Sequence, residues 1–290
     1  MKQLELFDLK KSHKGVNVAT VPMRSPFRYP GGKTWLIPQV RLWLKSLGSS
    51  IELIEPFVGG GIVSLTAAFE NLAKTILMVE KDEDIAAVWR TILGREGKWL
   101  ADQIMQFEVT LSNVQAIFNQ PITSVRQRAF TTILKNRLFH GGILAEGSGL
   151  LKYGENGKGL LSRWYPKTLQ NRILAIQPIK QKILFVQGDG FKIMKKNKNR
   201  RNVAYFIDPP YTKAAKRLYR HFEINHQYLF DLTKQLKGDF LMTYDDTEEI
   251  RLLARKHCFD IEPILMRGTH HIKKTELLIG NNLDWLREDF

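Results

Sequence analysis

The sequence contains a single cysteine, Cys258, among its 290 residues. One thiol cannot form an internal disulfide, and it cannot supply the several sulfur ligands of a cysteine-based zinc site. Disulfide-stabilised scaffolds and cysteine-ligated zinc folds are therefore excluded.

Long apolar runs are also lacking: no stretch approaches the roughly 18 to 20 residues that a membrane-spanning helix needs. The first residues, MKQLELFDLKK, alternate acids and bases and have no apolar signal region or cleavage site. These absences lead us to expect a cytoplasmic protein that engages no membrane and that can exist as a monomer.

What the sequence has in excess is positive charge, because 44 Lys and Arg against 29 Asp and Glu give a net charge of +15. Residues 101–200 hold 16 bases and 5 acids, whereas residues 201–290 hold 14 of each. This clustering indicates a near-neutral core interrupted by a basic insert that faces a polyanion. The alternative is a solvated basic surface that only aids solubility.

Apolar runs and helical spacing alternate along the first part of the chain. The segments ELIEPF (52–57) and TILMVEKDED (75–84) predict strands, and IVSLTAAFENL (62–72) and DIAAVWRTIL (84–93) predict the helices that follow them. This order is typical of a parallel, doubly wound α/β sheet. Further core strands are predicted at 182–189, 202–211 and 239–246, a helix at 226–237 and a final strand at 275–282. Residues 99–139 are mostly helical in pattern, and the glycine-rich residues 141–159 predict a long loop or a hairpin.

The motif Asp208-Pro209-Pro210-Tyr211 follows the apolar run VAYFI, so it is expected at the carboxyl end of a strand, where open α/β sheets bind ligands. The prolines fix the backbone, Asp208 supplies a carboxylate acceptor and Tyr211 an aromatic face. These groups suit a flipped-out planar base that carries an amino group. A strand-to-loop turn with a packed tyrosine is the alternative.

Two acids and a glycine-rich turn accompany this motif. EPFVGGG (55–61) places three glycines between a strand and a helix, where the backbone can approach a ligand closely. Glu80 ends the next strand and can accept hydrogen bonds from ribose hydroxyls, and Asp189 can accept from the amino group of a bound adenine. A surface acid and a turn aspartate are the respective alternatives.

The segment RYPGGKT (28–34) mimics the end of a phosphate-binding P-loop, but Phe27 occupies the position where that motif needs glycine. It is interpreted instead as a loop over a ligand, with the ring of Tyr29 and the cation of Lys33, or as a helix-entry turn.

Taken in order, these motifs resemble the Dam-like group of DNA adenine methyltransferases. Members carry an aromatic-x-Gly-Gly-Lys segment, a Phe-x-Gly-x-Gly turn, an acid after the second strand, and Asp-Pro-Pro-Tyr. The matching stretches here are Tyr29–Lys33, Phe57–Gly61, Glu80 and Asp208–Tyr211. The family acid is often aspartate, so Glu80 departs in length but not in chemistry.

The resemblance implies a Rossmann-like core with a mixed, mainly parallel sheet that depends on S-adenosylmethionine, and an inserted helical or hairpin target-recognition domain. The predicted division is an arm at 1–22, a catalytic domain at 23–98 and 182–290, and an insert at 99–181. The implied catalytic residues are Asp208, Pro209, Pro210 and Tyr211, with no metal. The implied cofactor-binding residues are Tyr29, Lys33, Phe57, Gly59, Gly61, Glu80, Asp189 and Asp208.

The insert is predicted to bind double-stranded DNA, because its bases can neutralise phosphates and some can reach base edges. NRLFHGG (136–142) resembles a stretch of the family's recognition region. The candidate DNA-binding residues are Arg126, Arg128, Lys135, Asn136, Arg137, Lys152, Lys158, Arg163, Trp164, Lys167 and Arg172. An ordinary helix with a basic face is the alternative.

The N-terminal residues Gln3, Leu4, Leu6 and Phe7 look like the short peptide that bacterial sliding-clamp partners insert into the clamp. The alternative is a tail whose leucines pack on the domain.

The resemblance predicts methyl transfer to the 6-amino group of adenine in DNA. Two rival functions remain open: methylation of the cytosine 4-amino group or of structured RNA, and DNA binding without catalysis on a methyltransferase scaffold. Cytosine enzymes usually carry Ser-Pro-Pro-Tyr, so Asp208 favours adenine.

Overall fold

The structure is a computed structural model, and it describes residues 21–29, 31–145, 147–151, 153–154, 157–210, 223–267 and 273–287. The strands are β1 (Glu52–Glu55), β2 (Thr75–Glu80), β3 (Ile183–Gln187), β4 (Val203–Ile207), β5 (Asp239–Asp245), β6 (Asp260–Arg267) and β7 (Lys273–Gly280). The helices are α1 (Ile37–Leu47), α2 (Ile62–Phe69), α3 (Glu83–Leu93), α4 (Gly97–Gln106), α5 (Leu111–Asn119), α6 (Val125–Leu138), α7 (Pro166–Ile176), α8 (Gly190–Asn197), α9 (His226–Lys234), α10 (Glu248–Lys256) and α11 (Asp284–Arg287).

The strands form one sheet in the order β3-β2-β1-β4-β5-β7-β6. The first five strands in this order run parallel to one another, and β7 runs antiparallel to both β5 and β6. The carboxyl ends of β1, β2 and β4 therefore meet at one edge, where Glu55, Glu80 and Asp208 lie. This topology confirms the predicted α/β class with a mixed, mainly parallel sheet.

Strand β6 was not predicted, because Glu262 and Pro263 interrupt its apolar pattern. Proline cannot donate to a ladder and is tolerated mainly on edge strands, which is the position that β6 occupies. The prediction of β3 as a core strand was wrong. β3 is the edge strand at the end of the sheet opposite β6, and its Leu184 and Val186 are 59% and 37% exposed.

Helices cover both faces of the sheet around two apolar clusters. The larger cluster contains Trp43 and Trp89 and holds α1, α2 and α3 against the sheet. The second lies on the other face and contains Phe230, Phe240 and Tyr244. Polar caps define where several helices begin; Asp82, for example, accepts hydrogen bonds from the backbone of Asp84 and Ile85 at the start of α3.

The region predicted as an insert is helical, as expected, and it packs on α3. Leu100, Leu134 and Ile173 of this region share the larger cluster with Trp89 of α3. The glycine-rich stretch begins with a short turn at His140–Gly142. An antiparallel bridge pairs Phe139, just before this turn, with Leu150 after it. The hydrophobic core is thus continuous between the insert and the sheet, and the division at residues 99 and 181 stays a prediction.

None of the helices in the described ranges combines the length and apolarity that crossing a membrane requires.

Candidate active site

A cavity of about 740 Å³ opens at the carboxyl edge of the sheet. Its wall combines the ends of β1, β2 and β4 with the 29–33 loop and the start of α8. Residues of the insert, Gly142, Leu144 and Ala145, complete the wall. The cavity therefore gathers the motifs that the sequence separates by up to 180 positions.

The turn after β1 requires glycine at positions 59 and 61, because the rings of Tyr29 and Trp89 lie directly against it. Gly59 and Gly61 have φ angles of +45° and +63°, which L side chains rarely adopt. A Cβ on Gly59 would lie 2.6 Å from the ring of Tyr29, and one on Gly61 would lie 2.8 Å from Trp89. Trp89 also donates its indole N–H to the Gly59 carbonyl at 2.9 Å. The result is a bare backbone cradle facing the cavity.

Glu80 occupies the position predicted for the ribose-binding acid. One carboxylate oxygen accepts from the Gly59 N–H at 3.0 Å and the other from the Asp82 N–H at 2.9 Å. Burial raises the pKa of Glu80 to about 7; the backbone N–H groups of Asp82 and Gly59 oppose this shift, and the negative charge of Asp82 adds to it. Hydroxyl groups that donate to a carboxylate favour its ionised form and lower its pKa.

Asp208 is held from two sides. Thr243 on β5 donates its hydroxyl to Asp208 Oδ1 at 2.7 Å, and Lys33 Nζ lies 3.0 Å from the same oxygen. Lys33 is only 3% exposed and also lies 3.6 Å from the carboxylate of Glu276 on β7. The structure thus confines the Asp208 carboxylate to one orientation at the cavity wall.

Sequence reasoning missed Glu55 and Glu276, which line the cavity, and Thr243, which reaches Asp208 from β5. Glu55 is buried at the end of β1, where the backbone N–H and the hydroxyl of Ser64 both donate to it. Burial raises the pKa of Glu55 to about 8. The folded protein therefore keeps a proton that the unfolded chain releases, and this group's contribution to stability declines as the pH rises from about 4.5 towards 8.

Asp189 lies at the cavity and also begins α8, where it accepts from the Phe191 N–H at 2.8 Å. Phe191 stacks on Tyr228 with ring centroids 5.5 Å apart and meets Phe57 edge-on at 5.8 Å. These three rings form an aromatic wall beside Asp189, which suits a planar heterocycle.

Four of the predicted DNA-binding residues are built into the interior instead. Asn136 is fully buried and bonds the backbone of Arg28, and Arg137 is 7% exposed and donates to the Pro26 carbonyl. Arg172 donates to the Ser25 carbonyl, and Trp164 packs against Phe107. Asn136, Arg137 and Trp164 are buried and Arg172 is half-buried, so in this structure these side chains bind the protein's own backbone and rings, and their DNA contacts stay a prediction.

Three more of the predicted DNA-binding residues contact side chains of neighbouring segments. Arg128 pairs with Glu83 and Asp84, both at 2.9 Å, and Arg126 pairs with Glu96 at 3.4 Å. Lys135 lies over the ring of Phe118. Arg126, Lys158 and Lys167 are exposed and Arg163 is partly exposed, so solvent and DNA can reach these four.

The positive charge of the middle region is not confined to the insert. Of the bases in residues 101–200, ten lie before residue 182 with four acids, and six lie in residues 182–200 with one acid. Most of the second group are on α8 or just after it, and Lys192 and Lys195 line the cavity. The basic excess of residues 101–200 is therefore shared between the insert and α8.

Some predicted residues lie outside the described residues: Gln3, Leu4, Leu6, Phe7, Lys152 and Tyr211. The clamp contact stays a prediction. Among the described residues, no group of three or more His, Cys, Asp or Glu is arranged to hold a metal ion.

Comparison with solved structures finds several methyltransferases of low similarity. A Pyrococcus horikoshii protein assigned as an RNA methyltransferase is 11% identical, with a TM-score of 0.39 over 97% of this chain and 98% of that one. An Agrobacterium tumefaciens S-adenosylmethionine-dependent methyltransferase is 8% identical, with a TM-score of 0.42 over 86% of this chain and 62% of that one. M. capricolum TrmK, solved with S-adenosyl-homocysteine, is 10% identical, with a TM-score of 0.36 over 83% and 66%. These likenesses are too remote to bear on the substrate.

Sequence comparison is more specific. No curated protein matches the chain, but the model of the D12 class of N6 adenine-specific DNA methyltransferases matches residues 29–267. The match includes the Tyr29 loop, the glycine turn, Glu80 and Asp208, and it confirms the resemblance that these motifs predicted. Methyltransferases of this class use S-adenosylmethionine, which is the cofactor that the glycine cradle, the carboxylates and the aromatic wall of the cavity fit. The chain belongs to the D12 class of N6 adenine-specific DNA methyltransferases.

Proposed function

We propose that this protein transfers a methyl group from S-adenosylmethionine to the 6-amino group of an adenine flipped out of double-stranded DNA. The observation that carries the proposal is the Asp208 carboxylate, fixed at the cavity by Thr243 and Lys33. The family match supports the choice of adenine and of DNA.

The cavity wall divides into parts that bind the donor and parts that orient the acceptor. When bound, S-adenosylmethionine supplies a methyl group that its sulfonium already activates. Gly59 and Gly61 give it backbone access, Glu80 accepts from its hydroxyls, and Asp189 accepts from an adenine amino group beside the Phe191 ring. The carboxylates of the wall complement its positive charge.

The acceptor amine needs help because its lone pair is delocalised into the base. Hydrogen bonds from the amine to Asp208 and to the Pro209 carbonyl favour a pyramidal nitrogen with an available lone pair. Thr243 and Lys33 fix the carboxylate before the base arrives, so little reorganisation is needed during transfer. Tyr211, which follows in the sequence, is proposed to stack on the base.

The rival functions are less well supported. A cytosine enzyme usually carries serine where this chain has Asp208. A scaffold that only binds DNA has no need of the buried lysine, the two glycines at positive φ and the acids that converge on the cavity. A catalytic role on adenine accounts for all of them together.

The polymer that accepts the methyl group can be identified directly. With tritiated S-adenosylmethionine and equal amounts of duplex DNA, single-stranded DNA and structured RNA, we expect label mainly in duplex DNA. The same reaction with S-adenosyl-homocysteine in excess is the control, because it should suppress transfer to every polymer. Label in RNA without label in DNA would contradict the proposal.

Two basic surfaces are expected to hold the DNA backbone: Arg163 with Lys167 on the insert, and Lys192, Lys195 and Lys196 on α8. Each phosphate contact contributes about 0.9 to the slope of log affinity against log salt concentration. In fluorescence anisotropy titrations, glutamine should therefore reduce that slope by about 1 to 2 units at the two insert positions and by about 1 to 3 units at the three α8 positions.

The double variant Lys45→Gln, Lys74→Gln provides the matched control, because both lysines are exposed. Lys74 directly precedes β2, whose other end, at Glu80, lies at the cavity. This variant should keep the wild-type slope. If the insert and α8 variants also keep it, neither surface contacts phosphate.

A further inference from the structure

Residues 25–29 form a strap over the glycine turn of the cofactor site. The Ser25 hydroxyl donates to the Gly60 carbonyl at 2.5 Å and accepts from the Phe27 N–H at 3.1 Å. Tyr29 lies against Gly59 and Gly60 so closely that neither could carry a Cβ without a clash. The position of this strap therefore sets the shape of the cavity next to the glycine cradle.

Asn136, on α6 of the insert, holds the other side of the strap. Its Oδ1 accepts from the Arg28 N–H at 2.8 Å, and its Nδ2 donates to the Arg28 carbonyl at 2.9 Å. The same Nδ2 donates to the carbonyl of Gly142, a residue of the cavity wall, at 2.9 Å. One fully buried amide thus joins two segments of the cofactor cavity that are more than 100 positions apart in sequence.

Two arginines of the insert reinforce this attachment. Arg137 donates to the Pro26 carbonyl, and Arg172 donates to the Ser25 carbonyl at 3.0 Å. Burial and the neighbouring cations of Arg172, Arg28 and Arg163 together lower the pKa of Arg137 to about 10. Gathering cations at a buried site costs folding energy.

We propose that Asn136 is a positioning residue of the cofactor site. Through the backbone of Arg28 it holds the strap over Gly59 and Gly60, and through Gly142 it fixes the part of the wall that the insert contributes. The insert is therefore a structural part of the cofactor site as well as a candidate DNA-binding surface. This role concerns the cofactor and does not depend on which polymer is methylated.

A consequence is that cofactor binding and the placement of the insert are energetically coupled. A ligand that fixes the strap also fixes α6, and a ligand that fixes α6 also fixes the strap. DNA held by the insert should therefore raise the affinity for S-adenosylmethionine, and the cofactor should raise the affinity for DNA by the same factor.

The test compares Asn136→Ala with Thr132→Val, one turn earlier on the same helix. The buried Thr132 hydroxyl donates to the Arg128 carbonyl within α6, so its loss perturbs the helix without touching the strap. By isothermal titration in the absence of DNA, Asn136→Ala should weaken binding of S-adenosylmethionine and of S-adenosyl-homocysteine by about tenfold or more. Thr132→Val should bind both as the wild type does, even where its melting temperature falls as far.

Arg172→Gln is the second variant, because Arg172 is only half-buried and its loss leaves the amide of Asn136 in place. It should weaken cofactor binding in the same direction by a smaller factor, and it decides the question if Asn136→Ala does not fold. Wild-type cofactor affinity in a folded Asn136→Ala variant would overturn the proposal. Equal weakening by Thr132→Val would do so too, because it would show a general effect of helix stability.

Discussion

Replacing Asp208 with alanine is expected to abolish methyl transfer, with a far smaller effect on cofactor binding. The substitution removes the carboxylate that the Asp-Pro-Pro-Tyr motif offers to the amine, at a position fixed by Thr243 and Lys33. Loss of one preorganised hydrogen-bonding group in an active site typically lowers kcat by about 10² to 10³-fold. We expect at least the upper end of this range, because the amine then lacks its charged acceptor.

Single-turnover transfer of a tritiated methyl group to DNA measures this effect directly. Thr243→Val is the graded comparison: it keeps the carboxylate, removes one hydrogen bond that orients it, and should cost about tenfold. Asp231→Asn is the control for loss of an exposed carboxylate, since its side chain is half exposed and lies on α9. An Asp208→Ala variant that turns over like the wild type would remove Asp208 from the mechanism.

Replacing Lys33 with methionine is expected to destabilise the folded protein by about 3–5 kcal/mol, the usual cost of breaking a buried ion pair by removing one partner. Lys33 lies between the carboxylates of Asp208 and Glu276, and Glu276 is as deeply buried as Lys33 itself. Without the cation, both acids are left in a poorly solvated wall that already holds Glu55.

Urea unfolding followed by circular dichroism measures this loss. Adding Glu276→Gln to the Lys33→Met variant should restore part of the stability, because it removes one of the unpaired charges. Lys45→Met, at an exposed lysine near the end of α1, should change the free energy of unfolding little. If Lys33→Met is as stable as Lys45→Met, the ion pair does not hold this wall together.

The elements that the sequence predicted well are those in which a local pattern and a tertiary role coincide. The glycines after β1 face Tyr29 and Trp89, and Glu80 and Asp208 end strands, so each carries a local signature of its place in the fold. Strand β6 carries no such signature, because an edge strand tolerates Pro263 and needs little apolar alternation.

The residues that were missed or misassigned depend on contacts across the fold. Thr243 on β5 contacts Asp208, and Glu276 on β7 contacts Lys33. The residues next to Thr243 and Glu276 in the sequence form no motif that predicts these contacts. A basic residue also looks alike in sequence whether it faces a phosphate or a backbone carbonyl. Arg137 was therefore predicted to contact DNA, whereas it binds Pro26 in the interior.

The same reasoning applies to net charge. Counted over residues 101–200, the basic excess lies in the middle of the chain, but the boundaries of the helices and strands divide this excess between the insert and α8. Only the strand that separates them, β3, shows that two different surfaces are involved.

The identity of the methylated nucleoside tests the central claim most directly. Duplex DNA of mixed sequence would be incubated with the protein and S-adenosylmethionine carrying a deuterated methyl group, digested to nucleosides and analysed by mass spectrometry. We expect the label in N6-methyladenine with the wild type and none with Asp208→Ala. Label in N4-methylcytosine, or unlabelled DNA from a protein that binds the cofactor, would contradict the account.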